Sequence, residues 1–221
     1  MGCSLDNQLN NMNKIDHIEK SIKNAIEENS KLDSKCLGIS GWTSKKIKHL
    51  LNNIMELPAI NYLEIGTFQG ATFVSALYKN NLNSAYAIDN WSEFQTPGNL
   101  AKIAFLENTK DLNFTYFEEN CWKLDLSKIK HKINVYLYDG GHTYQDQYNA
   151  LTYYYPILDD EFIFMVDDFD PAHNWEQVEK GTRDSIKDLN LKIIYENHLK
   201  SNAKNDSTMW WGGFFVSLLK K

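Results

Sequence analysis

The chain has 221 residues, 43% of them hydrophobic, a net charge of −6, and lysines scattered rather than massed. That is enough chain for one substantial globular domain, and the charge argues against nucleic acid as the main partner. No apolar run is long enough to span a bilayer and no signal-peptide core opens the sequence. Three well-separated cysteines, Cys3, Cys36 and Cys121, read as free thiols of a reducing, cytoplasmic setting without a disulfide framework or zinc site.

Residues 1 to about 13 are polar and read as a loose lead. Ile15, Ile18, Ile22 and Ile26 then recur at helical spacing and predict an amphipathic helix over 14–29. After a glycine loop, Leu37 to Trp42, Thr43 or Ser44 can cap a second helix with Ile47, Leu50, Leu51 and Ile54 on one face, closed by Pro58. From Asn61 onward, strands predicted at 61–65, 84–89, 114–117, 133–138 and 162–166 alternate with helices near 70–80, 99–110, 143–155 and 174–189. The last of these helices turns Val178, Thr182, Ile186 and Leu189 inward. Two late strands, 191–197 and 212–219, have no helix between them and can pair antiparallel. This alternation predicts an α/β fold: a Rossmann-like, mostly parallel seven-stranded sheet with helices on both faces and an antiparallel last strand. Ligands bind such sheets at the carboxyl ends of the strands. Two units are expected, a helical extension over 1–60 acting as lid or dimer contact, and a ligand-binding domain over 61–221.

The stretch Tyr62 to Thr72 carries the most chemistry. It reads as a buried strand, a glycine turn and a helix start, where glycines let backbone approach a ligand and free N–H groups face it. Pyrophosphate binding wants G-x-G-x-x-G, but Phe68 stands where the middle glycine would fall between Gly66 and Gly70. Glu64 precedes the turn and suits a ligand carrying ammonium and sulfonium groups, S-adenosylmethionine, better than a dinucleotide. Asp89 ends the next strand, where an acid can accept from both ribose hydroxyls. The plainer reading is an ordinary strand-helix turn with Asp89 as a cap.

Asp139, Asp167 and Asp168 end two apolar strands on the same predicted edge. Carboxylates gathered at a dry edge repel one another, and a divalent cation with an all-oxygen set, Mg²⁺, Ca²⁺ or Mn²⁺, would relieve that. Alternatively each acid caps the turn after it. His142 and His173 flank the group and can orient a substrate or act as a base, or serve as hydrogen-bonded loop residues.

Glu64-Ile65-Gly66-Thr67-Phe68-Gln69-Gly70 resembles motif I of class I S-adenosylmethionine-dependent methyltransferases, in the E-x-G-x-x-x-G form of the metal-dependent O-methyltransferases. Asp139-Gly140-Gly141-His142-Thr143-Tyr144 with Val166-Asp167-Asp168-Phe169 resembles the macrolide and aminocoumarin sugar O-methyltransferases and the cephalosporin hydroxylase-related group. The resemblance covers about 60–219. It implies that Asp139, Asp167 and Asp168 bind Mg²⁺, that Asp139 is also the catalytic base, and that Gly66 and Gly70 line the methionine part of the cofactor; Thr67 in the same turn is a further expected cofactor contact, and His142 an alternative proton acceptor. It further implies that Asp89 holds the ribose, that Asn120 and Cys121 meet the adenine, and that Trp91 stacks on or shields it. One departure is Leu158-Asp159-Asp160-Glu161, where that group carries a Pro- and Gly-rich turn before the fifth strand. Trp42, Trp91, Trp175, Trp210 and Trp211 offer apolar walls, with core packing the safer reading for Trp210 and Trp211.

The expected activity is Mg²⁺-dependent O-methylation of a small hydroxylated acceptor such as a sugar. The rival readings are a metal-free methyltransferase, a non-catalytic or hydroxylase-like adenosyl-binding protein, and an NAD-dependent oxidoreductase. The expected partners are a small molecule and a second copy of the chain in a dimer, with neither nucleic acid nor membrane.

Overall fold

A computed structural model describes residues 2–92, 99–173, 176–203 and 205–221, with side chains from Asn13 onward except that of His173. Seven helices, α1 (Gly2–Ile26), α2 (Ser34–Leu37), α3 (Lys45–Ile54), α4 (Ala71–Leu77), α5 (Leu100–Thr109), α6 (Tyr144–Thr152) and α7 (Glu176–Asp188), surround a seven-stranded sheet. The strands are β1 (Asn61–Ile65), β2 (Ser84–Ile88), β3 (Thr115–Phe117), β4 (Ile133–Tyr138), β5 (Leu158–Asp167), β6 (Lys192–Leu199) and β7 (Phe214–Lys220), in the order β3-β2-β1-β4-β5-β7-β6. β1 to β5 run parallel, and β7 is antiparallel to both neighbours, as the strand alternation predicted. The order reverses between β1 and β4, which opens a crevice beyond their carboxyl ends.

Each face of the sheet carries its own core. One side packs Ile18, Leu50, Leu51, Ile54, Phe73 and Phe105 from the helices against the sheet. The other gathers Leu151, Tyr154, Val178 and Ile186 over Tyr136, Phe164 and Phe215. Helix α7 buries Val178, Thr182 and Ile186 as expected, with Leu189 half-buried just beyond its end.

Three local expectations change. The lead is not loose: helix α1 starts at Gly2. Its buried stripe runs through Ser21, Ile22 and Ala25, and Ile26, next to Ala25 on the helix, is exposed. Leu158 to Glu161 is not a turn but the opening of β5, because a later segment supplies its ladder: Glu161 pairs with Lys220, and Lys221 N–H donates to Asp160. Ser44 caps α3 through Ile47 N–H, 3.2 Å away. That helix is buried all round, since its polar side pins the incoming loop. Asn53 Nδ2 donates to the Asn29 carbonyl at 2.9 Å, and Lys48 Nζ to those of Leu37 and Ile39 at 3.0 and 2.7 Å. No helix of the described residues is long and apolar enough to cross a membrane.

Candidate functional site

The crevice at the switch point is a cleft of about 830 Å³, a size that holds a nucleotide-like ligand with room for a second small molecule. Its floor is the turn after β1. Gly66 lies at φ +86, and a Cβ there would fall 1.8 Å from the Asp139 carbonyl oxygen. Only glycine lets β1 and β4 approach so closely at their ends. Gly66 N–H donates to the Ile88 carbonyl and Asp139 N–H to that of Ile65, both at 2.9 Å. Gly70, at φ +85, begins α4 from behind the cleft wall rather than on it.

Phe68 takes the left-handed conformation that a middle glycine would ordinarily supply, at φ +46. Such a backbone costs a non-glycine residue on the order of 1–2 kcal/mol and is held from three sides. Its N–H donates to Asp89 Oδ2 at 2.8 Å, its carbonyl accepts from Trp91 Nε1 at 2.7 Å, and its ring stacks on Trp42 with centroids 5.3 Å apart. Asp89 accepts from Trp91 N–H as well, at 2.7 Å. The acid expected to hold a ribose therefore also builds the turn, and burial raises its pKa.

Like Gly70, a second residue expected on the cofactor side is off the wall. Glu64 is not on the cleft wall. It is fully buried behind the turn and accepts from Tyr62 Oη and Thr72 Oγ1, both at 2.6 Å, and burial lifts its pKa to about 7. The strand alternation that points Glu64 inward is visible in the sequence, but the two hydroxyls waiting there are not. Trp91 lines the cleft and also packs against Phe105, with ring centroids 5.2 Å apart, and the residue is 3% exposed. Thr67, Asn120 and Cys121 are on the wall. The Thr67 hydroxyl is buried and meets no partner among the described residues, the sort of orphan a ligand satisfies. The Asn120 side chain accepts from Trp122 N–H at 2.8 Å. Burial pushes the Cys121 thiol up to about 12, so it stays protonated and is no nucleophile.

Across the cleft, Asp139, Asp167, Asp168 and His142 share one rim. Asp168 is at φ +54, a sharp turn straight after β5 that keeps its carboxylate beside that of Asp167. His142 Nε2 is 3.2 Å from Asp168 Oδ2. Desolvation, then mutual repulsion among the three acids, holds Asp139 and Asp167 well above the usual carboxylate range. Asp167 is 5% exposed and its Oδ1 has no hydrogen-bond partner among the described residues. The donor set and the orphan oxygen suit a hard divalent cation. As placed, however, no three Asp, Glu, His or Cys side chains of the described residues close around one point. Among the described residues the expected metal site is thus an open rim rather than a preformed cage.

Trp42 is on the wall as the sequence offered it, and the sequence missed Gly41 and Thr43 beside it. Gly41, Trp42 and Thr43 come from the loop that Lys48 pins, and a Cβ on Gly41 would meet that of Ala71 at 2.7 Å. Trp211, read as core, lines the cleft beside Asn205, whereas Trp210 is the buried one at 3%. Trp175 lies outside the described residues, as does the side chain of His173.

Residues 63–169 match a family described as a methyltransferase domain. No curated protein matches the chain. Among solved structures, the O-methyltransferase from Bacillus cereus in complex with SAH is similar at TM-score 0.58 and 12% identity, covering 93% of this chain and 91% of that one. The ribosomal protein L11 methylase from Lactobacillus delbrueckii subsp. bulgaricus is similar at 0.53 and 12%, covering 80% and 79%. M. capricolum TrmK, in complex with the cofactor product S-adenosyl-homocysteine, is similar at 0.51 and 17%, covering 77% and 67%. At these identities the likeness is one of fold, and the fold is that of class I methyltransferases.

Proposed function

We propose that this chain, an S-adenosylmethionine-dependent methyltransferase by its domain and fold, methylates an oxygen of a small hydroxylated acceptor, with a divalent cation such as Mg²⁺ at the acidic rim. One observation carries the reading: a single cleft joins the Gly66 turn to the rim of Asp139, Asp167, Asp168 and His142. In the transfer, the methyl carbon leaves the sulfonium as the acceptor oxygen bonds to it, the sulfur departs as a neutral thioether, and the hydroxyl proton passes to the protein. The chain's task is positioning and charge control. Backbone from Gly66 to Gln69, the Thr67 hydroxyl and Asp89 hold the donor, and Asn120 and Cys121 meet its adenine. Asp139 and His142 are placed to take the proton. Burial and the neighbouring acids raise the proton affinity of Asp139, the direction that favours accepting a proton. A cation held by Asp139, Asp167 and Asp168 would bind acceptor oxygens and lower the hydroxyl pKa.

The test is thermal stabilisation by S-adenosylhomocysteine, with turnover of wild type and Asp168→Ala measured with Mg²⁺ and with a chelator. Binding at a hundred times the dissociation constant adds about 2.7 kcal/mol. Absence of any stabilisation would remove the donor from this cleft. Activity indifferent to chelator and to Asp168→Ala would remove the cation while leaving the methyltransferase.

A further inference from the structure

The charge of the cleft constrains the acceptor further than its hydroxyl. Six carboxylates line the cleft, Asp89, Glu119, Asp139, Asp146, Asp167 and Asp168, and among the described residues no lysine or arginine does. Lys128 reaches Glu119 from outside, 3.4 Å away, and is not part of the wall. The single side chain on the wall able to gain a positive charge is His142, already 3.2 Å from Asp168. Asp89 and Asp146 are spoken for by protein groups: Asp89 by the N–H groups of Phe68 and Trp91, and Asp146 by the Thr143 hydroxyl and the Trp122 indole. Asp167 is different. It is 5% exposed, lines the cleft, and keeps one oxygen without a partner among the described residues, the oxygen the cation would take.

Adding the missing reactants does not reverse this balance. S-adenosylmethionine brings one net positive charge and a divalent cation two more, fewer than the six acidic side chains on the wall. Above the rim the wall is aromatic. Trp42 is 54% exposed, and Trp211 lines the same cleft. Indole faces attract cations more than any other side chain's ring does.

Resting on the O-methyltransfer reading, we propose that the acceptor is a small hydroxylated molecule that itself carries a positive charge, a protonated amine, and that anionic acceptors are rejected. A phosphorylated or carboxylated acceptor would add like charge to a partly desolvated acidic wall, the arrangement that discriminates most strongly against a wrong partner. The same charge disfavours a nucleic-acid acceptor.

The experiment uses matched probes on the full chain loaded with S-adenosylhomocysteine and Mg²⁺. One series is dopamine, 4-ethylcatechol and 3,4-dihydroxyphenylacetate; the other is glucosamine, glucose and glucuronate. Dissociation constants come from ligand-observed NMR, which needs no turnover, and methyl transfer is followed in parallel with the donor in place of its product. In each series the amine should bind at least about tenfold more tightly than the carboxylate, the scale of one charge contact in a partly screened site. The gap should narrow as salt rises. Equal or tighter binding of the carboxylate in either series overturns the proposal. Failure of S-adenosylhomocysteine itself to bind defeats the methyltransferase reading instead, so the two failures are told apart.

Discussion

Replacing Glu64 with Gln tests how the glycine turn is anchored. In the folded chain, complete burial lifts the Glu64 carboxyl from 4.5 to about 7, against the lowering effect of hydrogen bonds from Thr72 and Tyr62. Between those two pH values the unfolded chain has released the proton and the folded chain keeps it, so stability falls as pH rises. The contribution is fully present below 4.5 and lost above 7. The whole loss is about 3 kcal/mol, at about 1.4 kcal/mol for each pH unit. No discount for solvent screening applies, since the side chain is 0% exposed. The glutamine of the Glu64→Gln chain would never ionise. It would keep one hydroxyl as donor and turn its amide toward the other, at a cost of about 1 kcal/mol. Urea unfolding of both proteins from pH 4.5 to 8 should therefore show the Glu64→Gln chain slightly weaker at the acid end and about 2 kcal/mol stronger at the alkaline end. Asp139 and Asp167 tilt both curves in the same direction, and because Glu64 also raises both of them, the difference between the curves reports Glu64 together with its coupling to that pair. Parallel curves would refute the reasoning, because they would mean that Glu64 ionises as readily folded as unfolded.

Gly66→Ala places a Cβ 1.8 Å from the Asp139 carbonyl at φ +86. Left-handed strain and overpacking together cost about 2–5 kcal/mol, a fall in Tm of roughly 5–15 °C by calorimetry, with loss of S-adenosylhomocysteine binding; wild-type values for both would contradict the close approach of β1 and β4. Asp89→Asn can accept only one of the N–H groups of Phe68 and Trp91. It should cost about 1–3 kcal/mol and weaken S-adenosylhomocysteine binding at least tenfold by titration calorimetry, roughly 1.4 kcal/mol. Ser44→Ala removes the α3 cap to Ile47 and should lower stability by about 1 kcal/mol in urea.

Much of the fold is legible because its signals are local. Ile47, Leu50, Leu51 and Ile54 at helical spacing mark α3 with its Ser44 cap, and apolar runs punctuated by glycine mark the parallel strands in their order. Segment 158–161 reads wrongly as a turn because two adjacent aspartates look like one, and the strand that satisfies their backbone, β7, comes some sixty residues later in the chain. The role of Asp89 is half legible: its position at a strand end is local, its bonds to Phe68 and Trp91 are not.

What the sequence determined by itself was the period of every major element, the glycine bend and the acids that close β2, β4 and β5, since side-chain alternation and left-handed turns follow from neighbouring residues. Only the tertiary structure decided that Glu64 hides behind the bend while Phe68 is strained into glycine's place. It also decided that Trp42 and Trp211 reach the same cleft from opposite ends of the chain, and that the wall carries acids without a lysine or arginine among its described residues. These depend on which strand ends meet in space. That is set by burying two cores on one sheet, a balance over the whole chain that no local window contains.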